Sequence, residues 1–175
     1  MLKHAQPVTS LAFSPDGKLL ASSSGSTISF WDAADAAKID SQPIGALPLQ
    51  IEATPVFCFL GNSTLATAGP GSPMRLWQIS VTGTALEAKE INALPYNGIS
   101  IFAPNAGKTL MAIGGEQSQA VWLVNLSTGE TARELALPGE IIVAIAFSPN
   151  GSWLAVSTDR PNDKLSTVSV WGIPK

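Results

Sequence analysis

A unit of about 45 residues recurs four times along the chain, and this repeat constrains the fold more than any other sequence feature. Each copy contains three short segments rich in β-branched and aromatic residues and cut by Gly, Pro, Asp or Asn, which is typical of strands joined by tight turns. Aligning the third segments gives a column spaced by 46, 47 and 47 residues: Trp31, Trp77, Val124 and Trp171. The first segments give a second column, spaced by 46, 43 and 45 residues: Phe13, Phe59, Phe102 and Phe147. Two columns with nearly the same period indicate a repeat architecture.

The segments alternate as strands do, and none keeps a helical period over three turns. In the third segment of the first copy, Ile28 and Phe30 share one face while Trp31 lies on the other. A sheet with two apolar faces becomes stable when similar sheets pack on both sides. The sequence therefore predicts four-stranded antiparallel sheets that pack side by side. A fourth strand is predicted in each of the first three copies, at Lys38–Ile44, Ala85–Ile91 and Thr131–Leu135. No fourth strand is predicted after Trp171.

The first copy carries a recognisable pair of motifs. Its first strand ends in Phe-Ser-Pro-Asp-Gly (residues 13–17), and its third strand ends in Phe-Trp-Asp (residues 30–32). With the repeat length, these motifs resemble the WD-repeat β-propeller family. The resemblance implies an all-β fold of about four blades at residues 4–50, 51–95, 96–138 and 139–175 in a single segment. Family members usually close with about seven blades, so it also implies an incomplete or open propeller.

The family locks its blades with a hydrogen-bonded network of His, Ser, Asp and Trp side chains. The resemblance implies part of that network in the first copy, through His4, Ser22 or Ser23, and Trp31. The Asp that follows the Trp is kept only at Asp32, and the other copies have Gln78, Asn125 and Gly172 at that position. Structural roles are therefore expected for five side chains: His4, Trp31, Asp32, Trp77 and Trp171.

Composition narrows the chemistry that the chain can perform. Ten Lys and Arg residues against 13 Asp and Glu give a net charge of −3, without the basic stripe of a nucleic-acid binder. One cysteine excludes an internal disulfide, and one histidine leaves too few ligands for a zinc site. No apolar run has the length of a membrane span or a signal peptide, so a cytoplasmic location without membrane partners is expected.

The resemblance implies a non-catalytic scaffold that binds other proteins, and no catalytic residue, metal or cofactor is expected. Three arrangements stay open: a segment of a longer protein, self-association that completes the ring, or docking on another protein. One alternative function is a sensor or docking segment of a larger multidomain enzyme such as a bacterial kinase. The other is a ligand-binding or catalytic propeller. That alternative requires carboxylates or histidines in the first strands, which carry none.

The most polar stretch lies between the second and third strands of the fourth copy and is predicted to be a loop. Loops carry binding functions more often than the scaffold does. The loop is therefore the first candidate for a partner contact, although a solvated turn accounts for the same residues: Asp159, Arg160, Asn162, Asp163 and Lys164. Trp122 is a further candidate because Trp is enriched at binding hot spots. The competing explanation is that Trp122 fills the volume lost at Val124.

Overall fold

The computed structural model describes residues 2–34, 42–49, 55–82, 85–107, 109–115, 118–160, 162 and 165–173. All regular secondary structure in these residues is β-strand, and it forms four antiparallel sheets. Within the same ranges, no helix is long and apolar enough to cross a membrane. The chain divides into two compact units, Met1–Asn97 and Gly98–Lys175, each of which contains two sheets.

The first unit contains two four-stranded sheets in which neighbours in sequence are neighbours in space. The first sheet consists of β1 (Val8–Phe13), β2 (Leu19–Ser24), β3 (Thr27–Asp32) and β4 (Gly45–Pro48). The second sheet consists of β5 (Val56–Phe59), β6 (Thr64–Gly69), β7 (Ser72–Thr82) and β8 (Ala85–Asn97).

The second unit contains the third and fourth sheets, with the same order of neighbours. The third sheet consists of β9 (Ile101–Pro104), β10 (Leu110–Gly114), β11 (Ala120–Asn125) and β12 (Thr131–Ala136). Three strands form the fourth sheet in the described part of the chain, namely β13 (Ile141–Phe147), β14 (Trp153–Arg160) and β15 (Leu165–Gly172).

Two of the three predicted fourth strands are present, at β8 and β12. The prediction at Lys38–Ile44 is wrong, because the strand that pairs with β3 is Gly45–Pro48. Residues 38–41 lie outside the described ranges, and residues 42–44 are not in a strand. The physical reason lies at Gly45, where an added Cβ would lie only 2.7 Å from the Cβ of Leu86 in β8. The strand is therefore placed where a glycine allows the second sheet to approach.

The column of third-strand residues, Trp31, Trp77, Val124 and Trp171, occupies one register position in all four sheets. Each residue of the column lies directly opposite an apolar residue of the second strand, in the pairs Trp31–Leu20, Trp77–Leu65, Val124–Met111 and Trp171–Leu154. We call the face of each sheet that carries this column the tryptophan face, and the other one the opposite face. Because side chains alternate along a strand, Phe13 lies on the tryptophan face of the first sheet, and Ile28 and Phe30 lie on its opposite face.

The core of the first unit joins the opposite face of the first sheet to the tryptophan face of the second. Ile28 and Phe30 are fully buried there, in one cluster with Phe57, Phe59 and Trp77. The second unit repeats this pairing of faces. Its cluster joins the opposite face of the third sheet to the tryptophan face of the fourth, and includes Ala112, Val121, Leu123, Ile145 and Leu154.

The turn after the first strand has the same construction in the first and fourth sheets. In the first, the Ser14 hydroxyl donates to Asp16 Oδ1 at 2.7 Å and accepts the N–H of Leu19 at 2.9 Å. In the fourth, the Ser148 hydroxyl donates to Asn150 Oδ1 at 2.7 Å. Each turn ends at a glycine with positive φ, which explains why the motif is Ser-Pro-Asp/Asn-Gly. Hydrogen bonds from Ser14 and from the Lys18 N–H lower the pKa of Asp16 below its ordinary range.

Candidate functional site

A buried network joins three side chains of the first sheet and the segment before it. The indole N–H of Trp31 donates to the Ser22 hydroxyl at 2.7 Å, and His4 Nε2 lies 3.1 Å from the same oxygen. The His4 ring meets Trp31 edge-on with ring centroids 5.3 Å apart. Asp32 stays outside this network, since it is exposed and accepts the N–H of Ala34. The network therefore fixes the segment before β1 to the tryptophan face.

The second sheet satisfies its tryptophan in the same way. The indole N–H of Trp77 donates to the Thr67 hydroxyl at 2.9 Å. Thr67 stands two residues after Leu65, as Ser22 stands two residues after Leu20, so the two hydroxyls occupy equivalent positions. A buried N–H without an acceptor is costly, and here a strand hydroxyl supplies that acceptor.

The third and fourth sheets have apolar residues at the position that Ser22 and Thr67 occupy in the first two sheets. Ile113 follows Met111 by two residues, and Val156 follows Leu154 by two, and both side chains are fully buried. Trp171 is half-buried beside the core of the second unit. The fourth sheet is therefore held around its tryptophan by packing, and its polar contacts lie elsewhere.

Those polar contacts centre on Glu140, a buried carboxylate in the turn before β13. The Thr158 hydroxyl donates to its Oε2 at 2.5 Å, and Arg160 donates from Nε at 2.9 Å and from Nη2 to Oε1. Thr158 also hydrogen-bonds Thr167 across the hairpin at 2.8 Å. The bonds from Thr158 first, and from Arg160 second, hold the pKa of Glu140 below its ordinary value against the effect of burial. The carboxylate therefore fixes two alternate residues at the end of β14.

The β14–β15 hairpin extends beyond the corresponding hairpin of the first sheet. There, Ser24 pairs with Thr27 and the chain turns at once through Gly25 and Ser26. In the fourth sheet, Thr158 and Thr167 occupy those two positions, and pairing continues through Asp159–Ser166 and Arg160–Leu165. At about 3.3 Å per residue, the two added pairs lengthen the hairpin by about 7 Å. We call these two pairs, with Asn162, the hairpin extension.

The candidate contact residues fall in three kinds of place. Asp159 and Arg160 were predicted in a loop, and that detail is wrong because both lie in β14. Asn162 is exposed at the turn, and Asp163 and Lys164 lie outside the described residues. Trp122 lies in a different sheet, half-buried between Ile113 and Glu134 in the register of the third sheet. Its two interpretations, partner contact or filler of lost volume, both stay predictions.

Four polar residues of these networks were not singled out from the sequence: Thr67, Glu140, Thr158 and Thr167. Thr67 could have been found, because aligning the second strands places it in the column of Ser22. Thr158 and Thr167 align with Ser24 and Thr27, but nothing in that alignment marks them as a contact for Glu140, which lies before the first strand of its sheet. A short turn, Leu137 to Glu140, brings the carboxylate to the end of β14.

The described residues contain no group of three or more His, Cys, Asp or Glu side chains that could hold a metal ion. A groove of about 230 Å³ lies between the first and second sheets and is lined by Leu49, Thr67, Arg75 and Trp77, among others. Arg75 pairs with Glu90 at 3.1 Å, so the charged group of this groove is engaged in an ion pair.

Comparison with known proteins agrees with this geometry. The family model for the WD domain, G-beta repeat, matches residues 1–32 and 133–171, which span the two turns of common construction. These two ranges therefore match WD repeats, as the motifs of the sequence predict. No protein with a curated description matches the WD-repeat chain significantly in sequence.

A solved structure supports the fold over nearly the whole length. The β-propeller domain of Cps50 (Swd1) from Myceliophteria thermophila matches with a TM-score of 0.73 at 13% sequence identity. The match covers 95% of the WD-repeat chain and 54% of that domain, so the chain spans about half of its length. The predicted fold class, all-β with antiparallel propeller blades, is therefore confirmed. At this identity the likeness concerns the fold alone.

Proposed function

We propose that the chain is a non-catalytic protein–protein interaction scaffold of the WD-repeat type, with the hairpin extension as its contact surface. The match of residues 1–32 and 133–171 to WD repeats, which serve in protein-interaction domains, supports the general kind of function. The observation that carries the proposal is the extension itself, two residue pairs longer than the hairpin of the first sheet. A cytoplasmic location remains a prediction from the sequence.

The Glu140 contacts suit the extension to binding. A contact surface that is already ordered loses less conformational entropy when a partner docks. Glu140 holds Thr158 and Arg160 together, so the base of the extension is fixed in the free chain. Asn162 and Leu165 are exposed beyond that base and offer one polar and one apolar contact. The two residue pairs contain an acidic, a basic and an apolar side chain, those of Asp159, Arg160 and Leu165. This combination suits contact with a protein surface that has both polar and apolar groups.

The test is affinity capture with quantitative mass spectrometry from the cells of origin. The bait is the wild-type chain, the double variant Asp159→Lys with Leu165→Asp, or the control Ile91→Asp. Ile91 is exposed in β8 of the first unit, so its substitution introduces charge far along the chain from the hairpin. Partners captured by the wild type and the control should be lost by the double variant. Recovery of the same partners by all three baits refutes the hairpin extension as the contact surface.

A further inference from the structure

Contiguous sets of exposed large apolar side chains lie on two sheets, the first and the fourth, and on opposite kinds of face. The tryptophan face of the first sheet exposes Leu11 and Phe13. The opposite face of the fourth sheet exposes Trp153, Val168 and Val170. Contiguous exposed apolar groups mark interaction surfaces, whereas scattered ones do not. Each set here is contiguous, because its members lie on alternate residues of one strand or on the adjoining strand.

The repeat shows what covers the first of these surfaces. Phe13 corresponds to Phe59, and Leu11 corresponds to Phe57, in the register of their sheets. Phe59 is 5% exposed, whereas Phe13 is 60% exposed. The difference arises because the opposite face of the first sheet packs on Phe59. The natural cover for Leu11 and Phe13 is therefore the opposite face of another sheet of this kind.

The second surface has the complementary relation. Val168 and Val170 occupy the positions of Ile28 and Phe30, which are fully buried against the tryptophan face of the second sheet. Val168, by contrast, is 70% exposed. The natural cover for this surface is the tryptophan face of another sheet.

We propose that the tryptophan face of the first sheet in one copy packs on the opposite face of the fourth sheet in a second copy. In each unit the core forms where the opposite face of one sheet packs on the tryptophan face of the next. One chain exposes one face of each kind, so each exposed face of one copy can pack on the other kind of face in a second copy. The matched propeller domain is nearly twice as long as the chain, and two copies supply about that length. This contact is head-to-tail, and it uses residues other than those of the hairpin extension.

The test is sedimentation equilibrium of the purified chain between about 1 and 100 μM, a range that detects micromolar association. The wild type should reach at least twice the 18.2 kDa mass of one chain. Phe13→Asp and Val168→Asp each place a charge in the contact and should raise the dissociation constant by at least about 30-fold, as loss of a hot-spot residue does. Both sites are exposed, so circular dichroism should show an unchanged fold. Ile91→Asp is the control and should associate like the wild type.

Mixing the two variants distinguishes this contact from other modes of association. Phe13→Asp leaves the opposite face of the fourth sheet intact, and Val168→Asp leaves the tryptophan face of the first sheet intact. An equimolar mixture should therefore recover association through one contact, although neither variant associates alone. A monomeric wild type overturns the proposal. So does association that survives both substitutions, or a mixture that stays monomeric when the wild type does not.

Discussion

Replacing Ser22 by Ala removes the hydroxyl that accepts the indole N–H of Trp31. Trp31 is only 2% exposed, so water cannot replace the lost acceptor. Leaving a buried donor unsatisfied costs about 1–3 kcal/mol, and losing the contact with His4 adds to this. Alanine has nearly the shape of serine, so no cavity contributes. We expect Ser22→Ala to lower the free energy of unfolding of the first unit by about 1–3 kcal/mol.

A double-mutant cycle assigns this loss to the indole. Urea unfolding of the first unit is followed through the ¹H–¹⁵N indole signal of Trp77, which lies in the core of that unit and is present in every variant. The variants are Ser22→Ala, Trp31→Phe and the pair together. Since phenylalanine has no N–H to satisfy, Ser22→Ala should cost clearly less in the Trp31→Phe background, with a coupling of about 1 kcal/mol or more.

Ser24→Ala is the matched control, because it is the same substitution in the same strand. The Ser24 hydroxyl donates to the backbone carbonyl of Gln6 and has no tryptophan as a partner. Its loss should be small and unchanged by Trp31→Phe. If Ser22→Ala costs the same in both backgrounds, or no more than Ser24→Ala, the account of the network is wrong.

Three further predictions concern charge, backbone contact and core packing. Because the pKa of Glu140 is lowered in the folded chain, its ionised form stabilises the fold above the ordinary value of about 4.5. That gain is lost as the pH falls through the folded-state pKa, so the stability advantage of wild type over Glu140→Gln should hold at pH 7 and shrink on acidification in urea titrations. Gly115→Ala should destabilise the second unit by about 1–3 kcal/mol, measured by thermal unfolding, because its Cβ would overlap the backbone carbonyl oxygen of Gly98. Phe59→Ala should cost about 3–5 kcal/mol in chemical denaturation, whereas Phe13→Ala at the equivalent exposed position should cost a small fraction of that in dilute, monomeric chain.

Each of these predictions has its own contradicting result. A difference between wild type and Glu140→Gln that is flat down to about pH 3 shows that the carboxylate does not act through its charge. Gly61→Ala is the control for the backbone contact, since the described atom outside its chain neighbours that lies nearest the added Cβ is Thr64 Oγ1, at an ordinary contact distance of 3.9 Å. Equal melting temperatures for the two glycine variants contradict the close approach at Gly115. Equal costs for the two phenylalanine variants contradict the assignment of their faces.

The column of Trp31 and Trp77 could be predicted from the sequence because it depends on local properties of strands and turns. A strand alternates its side chains, and a tight turn requires Gly, Asp or Asn, so both features appear directly in the residue pattern. The column of Trp31 and Trp77 therefore has one register position in its sheets, as the alignment predicts. Strand β4 could not be found in this way. Its position depends on the approach of Leu86 from the second sheet, and Gly45 and Pro48 are poor strand residues that local pattern disfavours.

The candidate site shows the same division between local and long-range causes. The polar composition of residues 159–164 is visible in the sequence, and it predicts a loop. The structure continues β14 to Arg160 because Glu140, 20 residues earlier, contacts alternate side chains of that strand. A contact between residues 20 positions apart produces no periodic pattern in the sequence.

The first and fourth sheets use the same strand geometry, but their second strands differ in the hydroxyl contacts that they make on the tryptophan face. In the first sheet the hydroxyl at Ser22 satisfies the tryptophan, and the hairpin ends two residue pairs beyond it. In the fourth sheet Val156 takes that position, and the hydroxyl of Thr158, which corresponds to Ser24, meets Glu140. Because residues two apart share a face, positions 156 and 158 both lie on the tryptophan face, and the polar contact that the fourth sheet keeps is the one nearer the turn. The hydrogen bonds that hold the tryptophan in the first sheet are thus replaced in the fourth by bonds that hold the base of a longer hairpin, which is the physical basis for assigning binding to that hairpin.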